Sequence, residues 1–184
     1  MKTFIIFVVV VVVFVLFVIS IYNRLVRLNI NVSEAFAQIE VQLKRRSDLI
    51  PNLVETVKGY AAHEKDTFEK VVAARAKATT ATTVADVAAA DGMLTQALRG
   101  LLAVAEAYPD LKASTNFLAL QEELSTTENK VSFARQFYND NVRALNAAVK
   151  TIPTSLFAGM AKVSERDFYA VEDPASRQAP TVKF

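Results

Sequence analysis

Metal-assisted hydrolysis on a helix needs two histidines one turn apart with a glutamate beside the first, and His63-Glu64 supplies half of that arrangement. The other half is missing. Position 67 is Thr and His63 is the sole histidine, so neither a zinc-protease helix nor a Glu-x-x-His di-iron pair can be assembled. The absence of cysteine removes thiolate ligands, disulfides and a cysteine nucleophile. No Gly-x-Gly-x-x-Gly, phosphate loop or Gly-x-Ser-x-Gly occurs. These absences predict no catalysis, no cofactor, no metal and no small-molecule substrate, and they leave His63 as a solvated or capping residue.

The charges that stand out are those falling on apolar stripes. Glu64 and Arg75 share a helical face with Leu53, Val57, Ala61, Phe68 and Val71, and Glu128 and Arg135 share one with Phe117, Leu120, Leu124, Val131 and Tyr138. A buried charge needs an opposite partner, and two acids balance two arginines. The pattern predicts a buried polar network of cross-helix ion pairs, with Asn139 and Asn146 adding hydrogen bonds. Its role is either to select one helix register or to bind a ligand or partner, and the first is the simpler. A second cluster, Lys44-Arg45-Arg46, has two readings: cations at a helix C-terminus, or a docking surface for an acidic partner. It lies about 33 Å of helix beyond Tyr22, too far to touch lipid from an upright rod.

The element that positions all of these is Phe4 to Tyr22, FIIFVVVVVVFVLFVISIY, without charge, glycine or proline. At 1.5 Å per residue it reaches about 28 Å, close to the hydrocarbon thickness of a bilayer. A cleaved signal would be shorter and followed closely by a small-x-small site, whereas Asn23, Arg24, Leu25, Val26 and Arg27 come next. An all-round apolar cylinder in a soluble core would need partners on every side. The stretch therefore reads as an uncleaved single-pass anchor. Lys2 before it and Arg24 and Arg27 after it nearly balance, so sidedness leans only slightly to a cytoplasmic body, with a periplasmic or extracellular body as the alternative.

Beyond the anchor the spacing predicts helices. Leu25, Leu28, Val32, Phe36, Ile39 and Leu43 continue the first helix out of the membrane to about Ser47, where Asp48 and Pro51 open a second that runs to about Ala78. Thr83 and Asp86 form a capping pair for a third, with Val84, Val87, Leu94, Leu98, Leu101, Ala105 and Tyr108 on its stripe. After Pro109, Ser114 or Thr115 caps a fourth, whose stripe runs unbroken from Phe117 to Ile152. One kinked helix through Pro51 is the alternative to the first boundary. A short helix near Leu156 to Ala161 follows, and the segments around Pro174 and Pro180 read as extended. The expected fold is all-α: an anchor over 1–22, an up-and-down antiparallel four-helix bundle over 23–163, and an extended tail over 164–184. Apart from Lys2 the cations number 20 against 19 acids, which gives no electrostatic footprint for nucleic acid.

Several blocks together resemble the LemA family. In the first half these are Tyr22-Asn23-Arg24-Leu25-Val26, the run Gln42-Leu43-Lys44-Arg45-Arg46-Ser47-Asp48-Leu49-Ile50-Pro51-Asn52-Leu53-Val54, His63-Glu64 and Ala74-Arg75. In the second they are Tyr108-Pro109-Asp110-Leu111, Asn116-Phe117, Leu120-Gln121-Glu122-Glu123-Leu124, Thr127-Glu128, Ala134-Arg135, Tyr138-Asn139 and Val182-Lys183-Phe184. The resemblance implies a single-pass protein of a bacterial inner membrane with a cytoplasmic four-helix bundle, and it does not imply an enzyme activity. By analogy with relatives it suggests membrane shaping or association with a membrane-protease system. The expectation is a self-associating, homo-oligomeric scaffold in the lipid bilayer. The alternative is an adaptor or sensor for another membrane protein, making contact through the tail or the outer bundle surface.

Overall fold

Alanine, leucine, glutamate, lysine and glutamine dominate after residue 30, and these residues lose little on entering a helix. The computed structural model describes residues 1–170, and all their regular structure is helical: α1 (Lys2–Lys58), α2 (Lys65–Thr80), α3 (Val84–Glu106), α4 (Pro109–Lys112), α5 (Thr115–Lys150) and α6 (Ser155–Ala158). The fold is all-α. Residues 171–184, which hold most of the expected tail and the Val182-Lys183-Phe184 block, lie outside the described residues. The helices fall into two compact units, one of residues 1–38 and 134–168, the other of residues 39–133 with Tyr169 and Ala170.

In the second unit the stripes meet as one core. Ile50, Leu53 and Val57 of α1, Phe68 and Val71 of α2, Leu94, Leu98 and Leu101 of α3, and Phe117 and Leu124 of α5 pack together almost wholly out of solvent. Each large side chain contributes roughly 1.5–3 kcal/mol by leaving water. The α3 start is as expected, with the Thr83 side chain accepting from the Asp86 amide at 3.1 Å. Pro109 sits in the first turn of the one-turn helix α4, which gives Leu111 a fully buried place in the core before α5 begins.

The first helix boundary differs from expectation. α1 does not stop at Ser47 but runs on through Pro51 to Lys58, and the break falls over residues 59–64. Asp48 therefore caps nothing; it is exposed and pairs with Lys44 one turn back. A proline inside a helix leaves the carbonyl four residues earlier without its amide. Here that carbonyl belongs to Ser47, and the Arg75 Nε donates to it at 3.0 Å. The orphaned acceptor is thus satisfied from α2. The apolar face at Ile50, Leu53, Val54 and Val57 then outweighs the cost of the proline.

In the first unit α1 and α5 run antiparallel. The Phe36 and Tyr138 rings lie 5.7 Å apart, and Leu25, Val32, Ala35, Val142 and Leu145 are buried. After α6 the chain turns at Lys162, whose φ of 53° is in the left-handed region, and then lies extended along α5. The Asn146 side chain donates to the Arg166 carbonyl and accepts from the Arg166 amide, both at 2.9 Å, and the Tyr138 hydroxyl donates to the Asp167 carbonyl at 2.9 Å. The beginning of the expected tail is therefore strapped down. By contrast Phe4 to Phe17 are exposed on every side of α1, which is the one described helix long and apolar enough to cross a membrane.

Candidate functional site

The polar cluster that the fold builds lies in the second unit, around Arg46. This residue sits three positions after Leu43 and four before Ile50, so continuing the helix past Ser47 turns it inward with the apolar stripe. Its side chain is 5% exposed. Nη1 donates to Asp91 Oδ1 at 2.9 Å and to Thr95 Oγ1 at 3.1 Å, both on α3. Nη2 stands 2.7 Å from Glu128 Oε2 on α5, an ion-pair distance without an aligned hydrogen bond. Asp91, 1% exposed, also accepts from the Tyr169 hydroxyl at 3.1 Å. One guanidinium thus holds two carboxylates from two other helices, and one of those carboxylates holds the start of the C-terminal segment.

The expected network is in part somewhere else. Glu128 is in the cluster, 39% exposed. Arg75, half-buried, serves the Ser47 carbonyl in place of an acid. Glu64 is half-buried at the start of α2, where its backbone rather than its side chain makes the cap. Arg135 and Asn139 belong to the first unit, half-buried on α5, and neither is without a partner. The Lys44-Arg45-Arg46 run is neither a helix end nor a shared surface. Lys44 pairs with Asp48, Arg45 reaches Glu123 Oε1 at 2.9 Å, and Arg46 is buried.

Asp91 is the residue that spacing alone passed over. The α3 stripe steps from Val87 to Leu94, and the missing member four residues after Val87 is Asp91. A gap in a stripe occupied by an acid was the available signal. Thr95, half-buried beside it, follows from the same face.

This arrangement ties α1, α3 and α5 together through one guanidinium. No group of three or more His, Asp or Glu residues that would hold a metal exists among the described residues, and His63 is exposed. In the other unit, burial pushes the Tyr138 phenol above its ordinary value; the Arg166 charge opposes that rise and Asp167 adds to it. The surface of the second unit carries an open, mainly apolar groove of about 600 Å³ beside α2, walled by Ala62, Phe68, Val72 and Ala76 and edged by Lys58 and Lys65. The Lys58 ammonium lies 5.9 Å from the Phe68 ring centre.

The LemA family model matches residues 35–184, which is most of the chain. The chain belongs to the LemA family. A relative, Protein LemA of Metamycoplasma hominis, is 26% identical over 137 residues, covering 74% of this chain. The chain spans 63% of that protein's length. The family match includes Arg46, Asp91, Glu128 and Tyr169, so the cluster lies wholly within LemA sequence. It begins after the apolar stretch, and residues 4–22 have to be judged on their own chemistry.

Proposed function

We propose that this LemA-family chain is a membrane-anchored helical scaffold, without catalysis, that self-associates and organises the bilayer and its neighbours. The observation that carries it is the continuity of α1. The fourteen apolar residues from Phe4 to Phe17 stand uncovered, and the same helix passes without a break into the packed units. Leaving Phe4 to Phe17 in water is strongly unfavourable, and a bilayer removes that cost. A soluble core helix would be covered by its own fold, and this one is not.

For self-association the supporting feature is on α5, where Phe133 and Phe137, one turn apart, are 72% and 51% exposed. Exposed aromatic pairs of this kind favour contact with another apolar surface. The test is the mass of the full-length chain in lipid nanodiscs. A defined oligomer that dissociates when both phenylalanines are changed to serine is expected, and a monomer at every protein-to-lipid ratio would refute self-association.

A second reading, an adaptor for another membrane protein, is favoured by the groove beside α2. Its apolar floor, edged by Lys58, Lys65 and Glu69, suits an amphipathic segment. The cytoplasmic placement of the packed units in a bacterial inner membrane is part of the proposal. Because the chain has no cysteine, single cysteines introduced at exposed Lys2 and Lys130 give a direct labelling test of sidedness.

A further inference from the structure

The α5 stripe is buried at Val142, Leu145 and Ala148, yet the apolar positions that follow are turned outward. Ile152 is 80% exposed, Leu156 72% and Met160 55%. They belong to an uncharged stretch, residues 151–161 (TIPTSLFAGMA), bounded by Lys150 and Lys162. While its large apolar side chains face out, several of this stretch's polar groups are bonded to its own or the adjoining backbone. The Thr151 hydroxyl donates to the Ala147 carbonyl at 2.9 Å, and Thr154, 6% exposed, donates to the carbonyls of Ala148 and Thr151. The amides of Ser155, Phe157, Ala161 and Val163 bond to carbonyls at 2.8–3.0 Å. Internal polar satisfaction with external apolar side chains is what a lipid-facing segment needs.

Its level along α1 follows from the antiparallel register. Phe36 faces Tyr138, and the Arg166 side chain joins Asn29 at 3.1 Å while its backbone joins Asn146. From the first contact to the second, both helices advance by about 10–12 Å in the direction of the apolar stretch. A further turn of α5 brings Lys150 level with about residue 24 of α1, and the 151–161 stretch level with the last turns of the apolar run. Burial on α1 agrees. Ile21 is 6% exposed and Val18 is half-buried, whereas Phe17 and Ile19 are 48% and 49% exposed. One face of the apolar run is thus covered, and within this unit the end of α5 and the segment after it are the elements at that level.

We propose that residues 151–161 form a lip that inserts into the interfacial layer of the bilayer crossed by α1, with Ile152, Leu156 and Met160 among the upper acyl carbons. Lys150 and Lys162 stand at the phosphates. This inference rests on the anchor reading of α1. The charges facing this end of the unit are Arg24, Arg27, Lys150, Lys162 and Arg166 against Glu165 and Asp167, an excess of cations suited to anionic headgroups. Lys150 pairs with Glu165 at 2.7 Å but stays 64% exposed, and Tyr22 supplies an aromatic residue at the boundary.

The chain has no tryptophan, so single substitutions report position directly. Leu156→Trp, Met160→Trp, Val12→Trp and Leu118→Trp replace exposed side chains in the full-length protein. Each variant is reconstituted in phosphatidylcholine–phosphatidylglycerol vesicles with acyl chains brominated near the headgroup, and V12W also in vesicles brominated near the chain end, the depth that mid-span Val12 samples. The lip predicts blue-shifted emission and at least twofold quenching for L156W and M160W, with L118W unquenched. If V12W is quenched while L156W and M160W are not, the lip is refuted and the anchor stands. If those two emit to the blue but escape quenching, another protein surface covers them, and the lip is equally refuted. Absence of quenching in V12W and both lip variants overturns the anchor and the lip together.

Discussion

Arg46→Ala is the substitution with the largest consequence that the structure allows to be worked out. It deletes the donors at 2.9 Å to Asp91 and 3.1 Å to Thr95 and the charge 2.7 Å from Glu128. Glu128 is 39% exposed as a side chain but its Oε2 is buried, so water replaces the lost cation only in part. Asp91 recovers nothing in this way, because at 1% exposure it is a buried carboxylate that loses its guanidinium and has no access to water in exchange. Breaking a buried pair from one side costs about 3–5 kcal/mol, against a total domain stability of about 5–15 kcal/mol. Asp91→Ala should cost less, about 2–3 kcal/mol, since Arg46 keeps Glu128 and Thr95. Replacing both by apolar residues of similar volume, Arg46→Met with Asp91→Leu, should recover most of the loss, with a coupling of at least about 2 kcal/mol. Denaturant unfolding of the full-length chain in mild detergent, followed by helical circular dichroism, measures all three. A loss below about 1 kcal/mol for Arg46→Ala, or a double variant equal to the sum of the singles, would refute the argument.

Other outcomes follow from single contacts. Pro51→Ala restores an amide to the Ser47 carbonyl and should stabilise by about 1–3 kcal/mol, while Arg75→Met, which costs about 1–2 kcal/mol beside Pro51, should cost measurably less beside Ala; a thermal-unfolding cycle reads both. Thr83→Ala removes the acceptor for the Asp86 amide and should cost about 1 kcal/mol in the same assay. Tyr138 has its pKa raised in the folded chain, so the folded state keeps a proton that the unfolded chain releases near pH 10. Its contribution is complete below that pH and is lost as pH rises toward the folded value. Tyr138→Phe should therefore flatten the alkaline fall in stability, although it costs about 1 kcal/mol at neutral pH through the lost bond to Asp167.

Which parts of this could be read from the chain depends on the physics behind each. The stripes of α2, α3 and α5 were legible because a helix that buries one face must repeat its apolar residues at three and four, and Phe68, Val71, Leu94, Leu98, Phe117 and Leu124 do so. The passage of α1 through Pro51 was legible only as the alternative to a break at Ser47. A local rule ends helices near proline, and what overrides it here is Arg75, 24 residues further along the chain, donating to the Ser47 carbonyl. Reading Lys44 to Arg46 as cations at a helix end in turn hid Arg46, which lies three residues after Leu43 on the inner face. Asp91 was obscured for a different reason: its charge removed it from an apolar pattern that its position completes. Ile152 shows the converse, since it completes the α5 stripe in sequence but stands 80% exposed beyond the helix end.

That last mismatch bears on how hydropathy should be weighed in a chain of this kind. In water, an apolar residue that extends a buried stripe and then faces outward is a defect, and so is an apolar helix with Phe4 to Phe17 uncovered. Both features occur at the same end of one unit, at matching levels along α1 and α5, and there the hydroxyls of Thr151 and Thr154 are bonded to backbone carbonyls. The other unit buries its stripes against one another and keeps its charges paired or exposed. Two opposite rules for what faces outward, one at this end of the first unit and the other in the rest of that unit's core and in the second unit, are what the proposed bilayer contact requires. The Arg46 cluster lies in the unit that follows the aqueous rule, where a charge can be buried only with its partners. The lip lies at the end where the apolar residues follow the other rule. A substitution such as Leu156→Lys should therefore be benign for folding but loosen contact with the bilayer, whereas Arg46→Ala should do the reverse.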